Sequence, residues 1–191
     1  MLHEEGIDLP IVTTLHGTDI TLVGSHPFYK TAVTFSINKS DAVTSVSQNL
    51  KEDTQRLFNT QKEIKVIPNF IDINKYKNSY EECDRHLLAL PQERVITHVS
   101  NFRPVKRIAD VIEIFYRIQK DLPAKLMMVG EGPERKKAEQ LCKTYGIENK
   151  VVFLGNSSEV DKILCLSDLF LLPSKTESFG LAALEAMASG V

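Results

Sequence analysis

Short, continuous apolar runs alternate with segments of helical periodicity along almost the whole sequence, and few classes of fold accommodate this pattern. The runs are apolar throughout rather than alternately apolar and polar, which is typical of parallel strands covered on both faces. Strands are predicted at residues 11–15, 42–46, 64–67, 95–99, 125–129, 151–154 and 169–172. Helices are predicted between them at residues 28–38, 50–58, 108–122, 134–145, 160–166 and 181–188. The sequence therefore predicts an α/β fold with doubly wound parallel sheets.

A polar stretch between residues 70 and 94 interrupts this alternation, as is typical of a boundary between domains. We predict a first domain over residues 1–75, a linker over 76–93 and a second domain over 94–191. The first domain has three predicted strands, fewer than the usual number of about four to six. We therefore expect a segment of a longer two-domain protein. It carries the C-terminal part of one domain and a nearly complete second domain, truncated at its C-terminus.

The charges nearly cancel, with 23 Lys and Arg against 25 Asp and Glu, and they form no basic stripe. Because a run of nucleic-acid phosphates requires such a stripe, we expect no polymeric nucleic acid partner, whereas a single nucleotide is compatible. No apolar run approaches the ~18 residues of a membrane span, and the N-terminus lacks the pattern of an export signal. We expect no transmembrane segment and a cytoplasmic location.

The three cysteines, Cys83, Cys142 and Cys165, are odd in number and far apart in the sequence. This spacing argues against a disulfide framework and against a CxxC metal clip, and it suits a reducing compartment. We expect each cysteine to be a small, buried apolar side chain.

The segment from Pro173 to Glu185 follows a predicted strand and opens a predicted helix, so its first amides form an anion site that suits a diphosphate. Gly180 allows a ligand to approach the backbone closely. Glu177 and Glu185 are eight residues apart, or about 12 Å along a helix axis, which suits the two ends of a nucleotide sugar. The same spacing exceeds the ~5–9.5 Å between paired glycosidase carboxylates. Alternatively, Glu177 is only a helix-start acid and Glu185 lies on a solvated face.

A second cluster places Arg103, Lys106 and Arg107 in a loop between a predicted strand and the next helix. Three cations beside the positive end of a helix dipole make physical sense if an anion is held between them. The alternative is a solvated basic loop.

Two shorter motifs follow other predicted strands. The GEGP sequence at residues 130–133 allows close approach to the backbone, or is a plain turn before a helix. His16 follows the first predicted strand at the carboxyl edge, where ligands of open α/β sheets bind. We expect His16 either to hydrogen-bond a substrate hydroxyl and stabilise developing charge, or to be structural.

Taken together, six motifs resemble those of the retaining glycosyltransferases of family 4. They are HGTDI at 16–20, VIPNFID at 66–72, SNFRPVKR at 100–107, VGEGPE at 129–134, FLG at 153–155 and ESFGLAALEAMASGV at 177–191. The resemblance implies the GT-B fold, with part of the N-terminal, acceptor Rossmann-like domain followed by the C-terminal, nucleotide-sugar donor domain. Within the family, three motifs are most similar to the branch that transfers GlcNAc from UDP-GlcNAc to L-malate in bacillithiol biosynthesis. These motifs are HGTDIT, the NFID variant and SNFRPVKR.

The resemblance also implies roles at the sugar end of the donor. Glu177 would contact the hydroxyls of the donor sugar, and His16 would lie beside the sugar that is transferred. The amides of Phe179, Gly180 and Leu181 would contact the phosphate or the sugar.

At the nucleotide end, the resemblance implies that Glu185 contacts the ribose. Lys106 matches the phosphate-binding lysine of the family. The usual arginine five residues earlier is Asn101 here, and we expect Arg103 to supply that charge.

The implied mechanism needs no protein nucleophile. The acceptor hydroxyl attacks the face from which UDP departs, configuration is retained, and cations and helix amides stabilise the leaving diphosphate. We expect no metal and no cofactor, since no carboxylate cluster has metal-ligand spacing and UDP-sugar is a substrate. Assembly as a homo-oligomer stays open.

Two alternatives remain at this stage. One is a family relative with another sugar donor or with a lipid or glycan acceptor. The other is a nucleotide-binding chain without catalysis, because half of the cleft is expected to be missing. For the main interpretation as well, we expect the isolated chain to turn over poorly or not at all, because it lacks the family's glycine-rich loop, which would close the cleft.

Overall fold

The computed structural model describes residues 6, 9–18, 20, 24, 26–78, 83, 85 and 88–191, with only the backbone at 77 and 78. The chain divides into two compact units. The first comprises Met1–Phe70 and Glu177–Phe179, and the second comprises Ile71–Thr176 and Gly180–Val191. Across these described residues, no helix has both the length and the apolar character that crossing a membrane requires.

The first unit contains a three-stranded parallel sheet in the order β1-β2-β3. Its elements are β1 (Val12–Leu15), α1 (Pro27–Lys39), β2 (Ala42–Ser45), α2 (Gln48–Phe58) and β3 (Ile64–Val66). Leu15, Val43 and Ile64 come from the three strands and form the core with Leu50 and Phe58 of α2. These five apolar side chains hold the sheet against the helix.

Burial on both faces was predicted for every strand, and this is wrong for the first unit. Val12 and Thr14 of β1 are exposed, whereas Leu15 is buried. In β2, Val43 and Ser45 are buried and Ala42 is exposed. A run that is apolar or β-branched throughout does not distinguish one covered face from two, because these residue types also suit a half-buried strand.

The second unit contains a four-stranded parallel sheet in the order β6-β5-β4-β7. Its strands are β4 (Arg94–Val99), β5 (Ala124–Val129), β6 (Val151–Gly155) and β7 (Leu169–Phe170). Its helices are α3 (Ile73–Asn78), α4 (Ile108–Asp121), α5 (Arg135–Tyr145), α6 (Val160–Leu164) and α7 (Leu181–Ala188). The two central strands β4 and β5 are buried along most of their length, so the predicted parallel sheet is confirmed here.

The winding of this second sheet reverses at β4. From β4 the chain moves outward through β5 to β6, and it then returns to place β7 on the other side of β4. The loops that follow β4 and β7 therefore leave neighbouring strands at the same carboxyl edge of the sheet. Such a topological switch point is the position at which open α/β sheets bind their ligands.

Helix α3 lies in the region where the polar sequence predicted no helix. Tyr76 is the buried residue of α3, and it packs against Leu164 and Ala186. Among the described side chains of this short helix, Tyr76 alone is buried, and one buried position gives no apolar periodicity that a sequence pattern can reveal.

The expectation that the cysteines form no disulfide is wrong for one pair. Cys83 and Cys165 are disulfide-bonded, with Cα atoms 6.1 Å apart, although 82 residues separate them in sequence. Two residues that are far apart in the sequence can be close in the fold. Cys83 lies beside the C-terminal end of α6, where Cys165 is the C-cap residue. Cys142 is free and buried, as expected, and burial raises the pKa of its thiol to about 11.

Asp168, directly before β7, accepts hydrogen bonds from several donors. Its carboxylate accepts hydrogen bonds from Arg85 at 2.6 and 3.0 Å, from Arg94 at 2.9 Å and from the Val95 N–H at 2.7 Å. Partial burial alone would raise the pKa of Asp168, but these hydrogen bonds outweigh it and lower the pKa to about 2. The carboxylate thus ties the segment before β4 to the edge strand β7.

We predict that Asp168→Asn lowers the free energy of unfolding at pH 7 by about 1.5–3 kcal/mol, because charged donors lose their charged acceptor. Urea unfolding measures this change. The control is Glu113→Gln, which removes an exposed pair with Arg117 on α4 and should cost less than about 1 kcal/mol.

Acid should abolish most of this difference. The folded pKa of Asp168 lies below its ordinary value of 3.8, so the stabilisation is complete above that value and is lost as the pH falls towards about 2. Unfolding curves of the two proteins should therefore converge between about pH 5 and pH 2. If the difference in free energy of unfolding between the two proteins were as large at pH 2 as at pH 7, this assignment would be contradicted.

Candidate functional site

The loops after β4 and β7 meet at the switch point of the second unit. The Lys175 N–H donates to the Val105 carbonyl at 2.9 Å, which joins the loop after β7 to the turn after β4. In the same loop, the Ser174 hydroxyl oxygen is buried and has no hydrogen-bond partner among the residues described. The cationic loop and the loop that leads to α7 are thus held side by side.

His98, buried in β4, organises the start of the cationic loop. Its Nδ1 lies 2.8 Å from the Leu171 carbonyl oxygen, and its Nε2 lies 2.7 Å from Ser100 Oγ. Because a carbonyl only accepts, Nδ1 of His98 carries a proton and donates it to the Leu171 carbonyl oxygen. Sequence reasoning missed this residue, although a histidine within an otherwise apolar strand was a visible signal.

The three predicted cations have different surroundings. Arg103 is exposed and precedes a 3-10 turn at Pro104–Lys106, where Lys106 is half-buried. Arg107 begins α4 with a φ of 53° and forms an ion pair with Asp110 of the same helix. The cation of Arg107 therefore pairs with an acid of the helix that it precedes, and Arg103 and Lys106 lie at the start and the end of the turn.

The GEGP loop after β5 packs closely on this turn. A Cβ at Gly130 would lie 1.8 Å from the Ser100 carbonyl oxygen, and one at Gly132 would lie 2.1 Å from that of Asn101. The Glu134 N–H also donates to the Phe102 carbonyl at 3.0 Å. The close backbone approach expected of this motif is thus an approach to the chain's own cationic loop.

Helix α7 begins after Gly180, which has a φ of 83°, and its predicted bounds are confirmed. Among the described residues, no side chain caps its N-terminus, and its first turn contains no acid. Glu177 lies three residues before Gly180, so the interpretation of Glu177 as a helix-start acid is wrong. The first amides of α7 keep the positive end of the helix dipole for another acceptor.

Glu177–Phe179 group with the first unit rather than with α7. Phe179 packs against the core of that unit. A Cβ at Gly17, directly after His16, would lie 1.6 Å from Ser178 Oγ. Gly17 and Ser178 are therefore in close contact inside the first unit. His16 directly precedes Gly17, Glu177 directly precedes Ser178, and both of these side chains are exposed. Asp19 of the HGTDI motif lies outside the described residues.

Glu185 is half-buried on α7, where its carboxylate accepts a hydrogen bond from the Tyr76 hydroxyl. Burial, followed by this hydrogen bond and the charges of Glu185 and Asp161, raises the pKa of Tyr76 to about 12. The alternative of Glu185 on a solvated face is therefore wrong. Tyr76 was missed because nothing in the sequence connects a linker tyrosine to a glutamate more than 100 residues later.

Within the described part of the chain, no three His, Cys, Asp or Glu side chains come together to hold a metal ion. The charged groups at the switch point are instead the cations Arg103 and Lys106. With the amides of α7, they form an arrangement that suits an anion such as a diphosphate.

Comparison with known families agrees with this geometry. Residues 80–191 match the family described as Glycosyl transferases group 1, and residues 3–75 match the family described as Glycosyltransferase Family 4. The chain therefore belongs to these glycosyltransferases, as the resemblance of its motifs indicated.

Several curated relatives, including the following two, match along nearly the whole chain. N-acetyl-alpha-D-glucosaminyl L-malate synthase of Bacillus anthracis is 45% identical over 97% of this chain and 49% of that protein. An uncharacterized glycosyltransferase of Methanocaldococcus jannaschii is 33% identical over 95% of this chain and 50% of that protein. The chain spans about half the length of the curated relatives it matches.

Solved structures share the fold. HepE of Anabaena, in complex with UDP-glucose, has a TM-score of 0.80 and 26% identity, over 95% of this chain and 51% of that chain. WaaG, a glycosyltransferase involved in lipopolysaccharide biosynthesis, has a TM-score of 0.79 and 21% identity, over 100% of this chain and 60% of that chain. These likenesses confirm the predicted GT-B type of fold.

Proposed function

We propose that this chain is part of a retaining glycosyltransferase that transfers GlcNAc from UDP-GlcNAc to L-malate, and that its second unit binds the UDP-sugar. One observation carries the binding proposal: a switch point flanked by a cationic turn and by the uncapped N-terminus of α7. The choice of substrates is supported by 45% identity to N-acetyl-alpha-D-glucosaminyl L-malate synthase of Bacillus anthracis.

The diphosphate of the donor is assigned to the switch point. Lys106 and Arg103 neutralise its charge, and Arg103 takes the place of the family arginine that is Asn101 here. The amides of Gly180 and Leu181 donate to its oxygens at the positive end of α7. These groups also stabilise the charge that develops when UDP departs.

The remaining roles lie on either side of this diphosphate. Glu185 accepts from the ribose hydroxyls, whereas Glu177 and the Phe179 amide contact the donor sugar. His16 lies beside the sugar that is transferred. The L-malate hydroxyl attacks the face from which UDP departs, so configuration is retained without a protein nucleophile, metal or cofactor. We also propose a cytoplasmic location.

A second candidate is transfer of another sugar from UDP to another acceptor. HepE of Anabaena, 26% identical to this chain, was solved with UDP-glucose. Both candidates use the same nucleotide, so donor competition separates them.

We expect UDP to bind this chain and to give a saturable calorimetric signal. The product of the complete reading frame should form α-linked GlcNAc-malate from UDP-GlcNAc and L-malate, as measured by NMR. UDP-glucose and a lipid acceptor serve as the comparison substrates. Preference for either would contradict the substrate assignment, and UDP binding without any transfer would favour a non-catalytic protein.

Replacing Lys106 with Ala should weaken UDP and UDP-GlcNAc binding together by about 1.5–3 kcal/mol, or about 10–150-fold, because both ligands carry the diphosphate. Arg103→Ala tests the replacement of the family arginine in the same titration. The matched control is Arg107→Asn, which removes the cation paired with Asp110 and tolerates its left-handed backbone. If both Ala variants bound UDP with unchanged affinity, this turn would be a solvated basic loop without a role in binding the nucleotide.

The two glutamates should differ in kinetic signature in the complete enzyme. Glu177→Ala should lower kcat far more than UDP affinity, because orientation of the reacting sugar is felt mainly in the transition state. Glu185→Ala should weaken UDP and UDP-GlcNAc binding alike by about 1–3 kcal/mol, with a smaller effect on kcat. UDP calorimetry and steady-state kinetics measure both. Loss of UDP binding in Glu177→Ala alone would reverse the assignment.

A further inference from the structure

The hydrogen bond between Tyr76 and Glu185 joins two helices that are remote in sequence. Tyr76 is only 5% exposed and packs in an apolar cluster with Leu164 of α6 and Ala186 of α7. Ala186 directly follows Glu185, so the cluster that holds the tyrosine ring also fixes the backbone that carries the carboxylate. The partners of this hydrogen bond are therefore both held by packing.

The direction of this hydrogen bond is also determined. With a pKa of about 12, the Tyr76 phenol keeps its proton at any ordinary pH, so it donates and Glu185 accepts. Nearby Asp161 is engaged elsewhere, because its carboxylate pairs with Lys75 Nζ at 3.6 Å. A carboxylate has about four lone-pair directions, so one donor leaves acceptor capacity on Glu185 for further hydroxyl groups.

We propose that Tyr76 is a positioning residue for Glu185: it holds the carboxylate so that its remaining oxygen lone pairs accept the hydroxyls of the nucleotide ribose. This inference rests on the proposed function, in which Glu185 contacts the ribose. An exposed glutamate would lose side-chain entropy on binding, whereas a carboxylate already held by Tyr76 has lost that freedom on folding. Affinity should therefore depend on Tyr76 only for ligands that have ribose hydroxyls.

The test is Tyr76→Phe in the full chain, titrated with UDP and with 2′,3′-dideoxy-UDP, which lacks both hydroxyls. We expect UDP affinity to fall about 3–10-fold, as for loss of one hydrogen bond, and dideoxy-UDP affinity to stay unchanged. In a Glu185→Gln background the same substitution should have a smaller effect, because the two residues act as one unit. Tyr145→Phe, in a ring stack with Tyr116, is the matched control and should change neither affinity.

Three results overturn the inference. Equal weakening of UDP and dideoxy-UDP in Tyr76→Phe would show that the phenol only supports packing. Unchanged UDP affinity in Tyr76→Phe, with weakened UDP binding in Glu185→Gln, would remove the role of Tyr76 and leave the proposed function intact. Absence of UDP binding by the unsubstituted chain would instead overturn the proposed function itself, and the inference with it.

Discussion

Parallel pairing of β4 with β5 on one side and with β7 on the other is the constraint on which the second unit depends. A strand paired on both edges and covered on both faces has no freedom to shift its register without exposing its apolar residues. The carboxyl end of β4 is therefore held in place, and the loops after β4 and β7 leave neighbouring strands at the same edge of the sheet. The switch point beside β4 therefore follows from topology alone, before any side chain of the candidate site is considered.

Close backbone packing and uncharged hydrogen bonds help to hold the cationic turn after β4. Gly130 and Gly132 let the loop after β5 approach the backbone of Ser100 and Asn101 more closely than a Cβ would allow. The His98 ring lies within hydrogen-bond distance of both the Leu171 carbonyl and the Ser100 hydroxyl. Arg103 and Lys106 are thus carried to the switch point by a turn that is packed in place, and two cations at this position suit an anion.

Pattern reasoning located the elements of both sheets because each buried strand carries its own local signal, a run of apolar and β-branched residues bounded by turns. The same reasoning placed α7 correctly, since Gly180 marks its start. It failed for α3, in which Tyr76 is the buried residue among the described side chains, and for Cys83 and Cys165, which are close only after folding. It also assigned two covered faces to strands of the first unit that have one.

The order of residues along the chain was sufficient to establish the α/β class, the family and the identity of the candidate ligand-binding motifs, because all of these are recorded in local spacing and residue type. Folding alone decided that β7 returns beside β4, that Arg107 pairs with Asp110, and that a linker tyrosine donates to Glu185. These outcomes depend on which distant segments share one core. That choice minimises exposed apolar surface over the whole chain and is not encoded in any single segment.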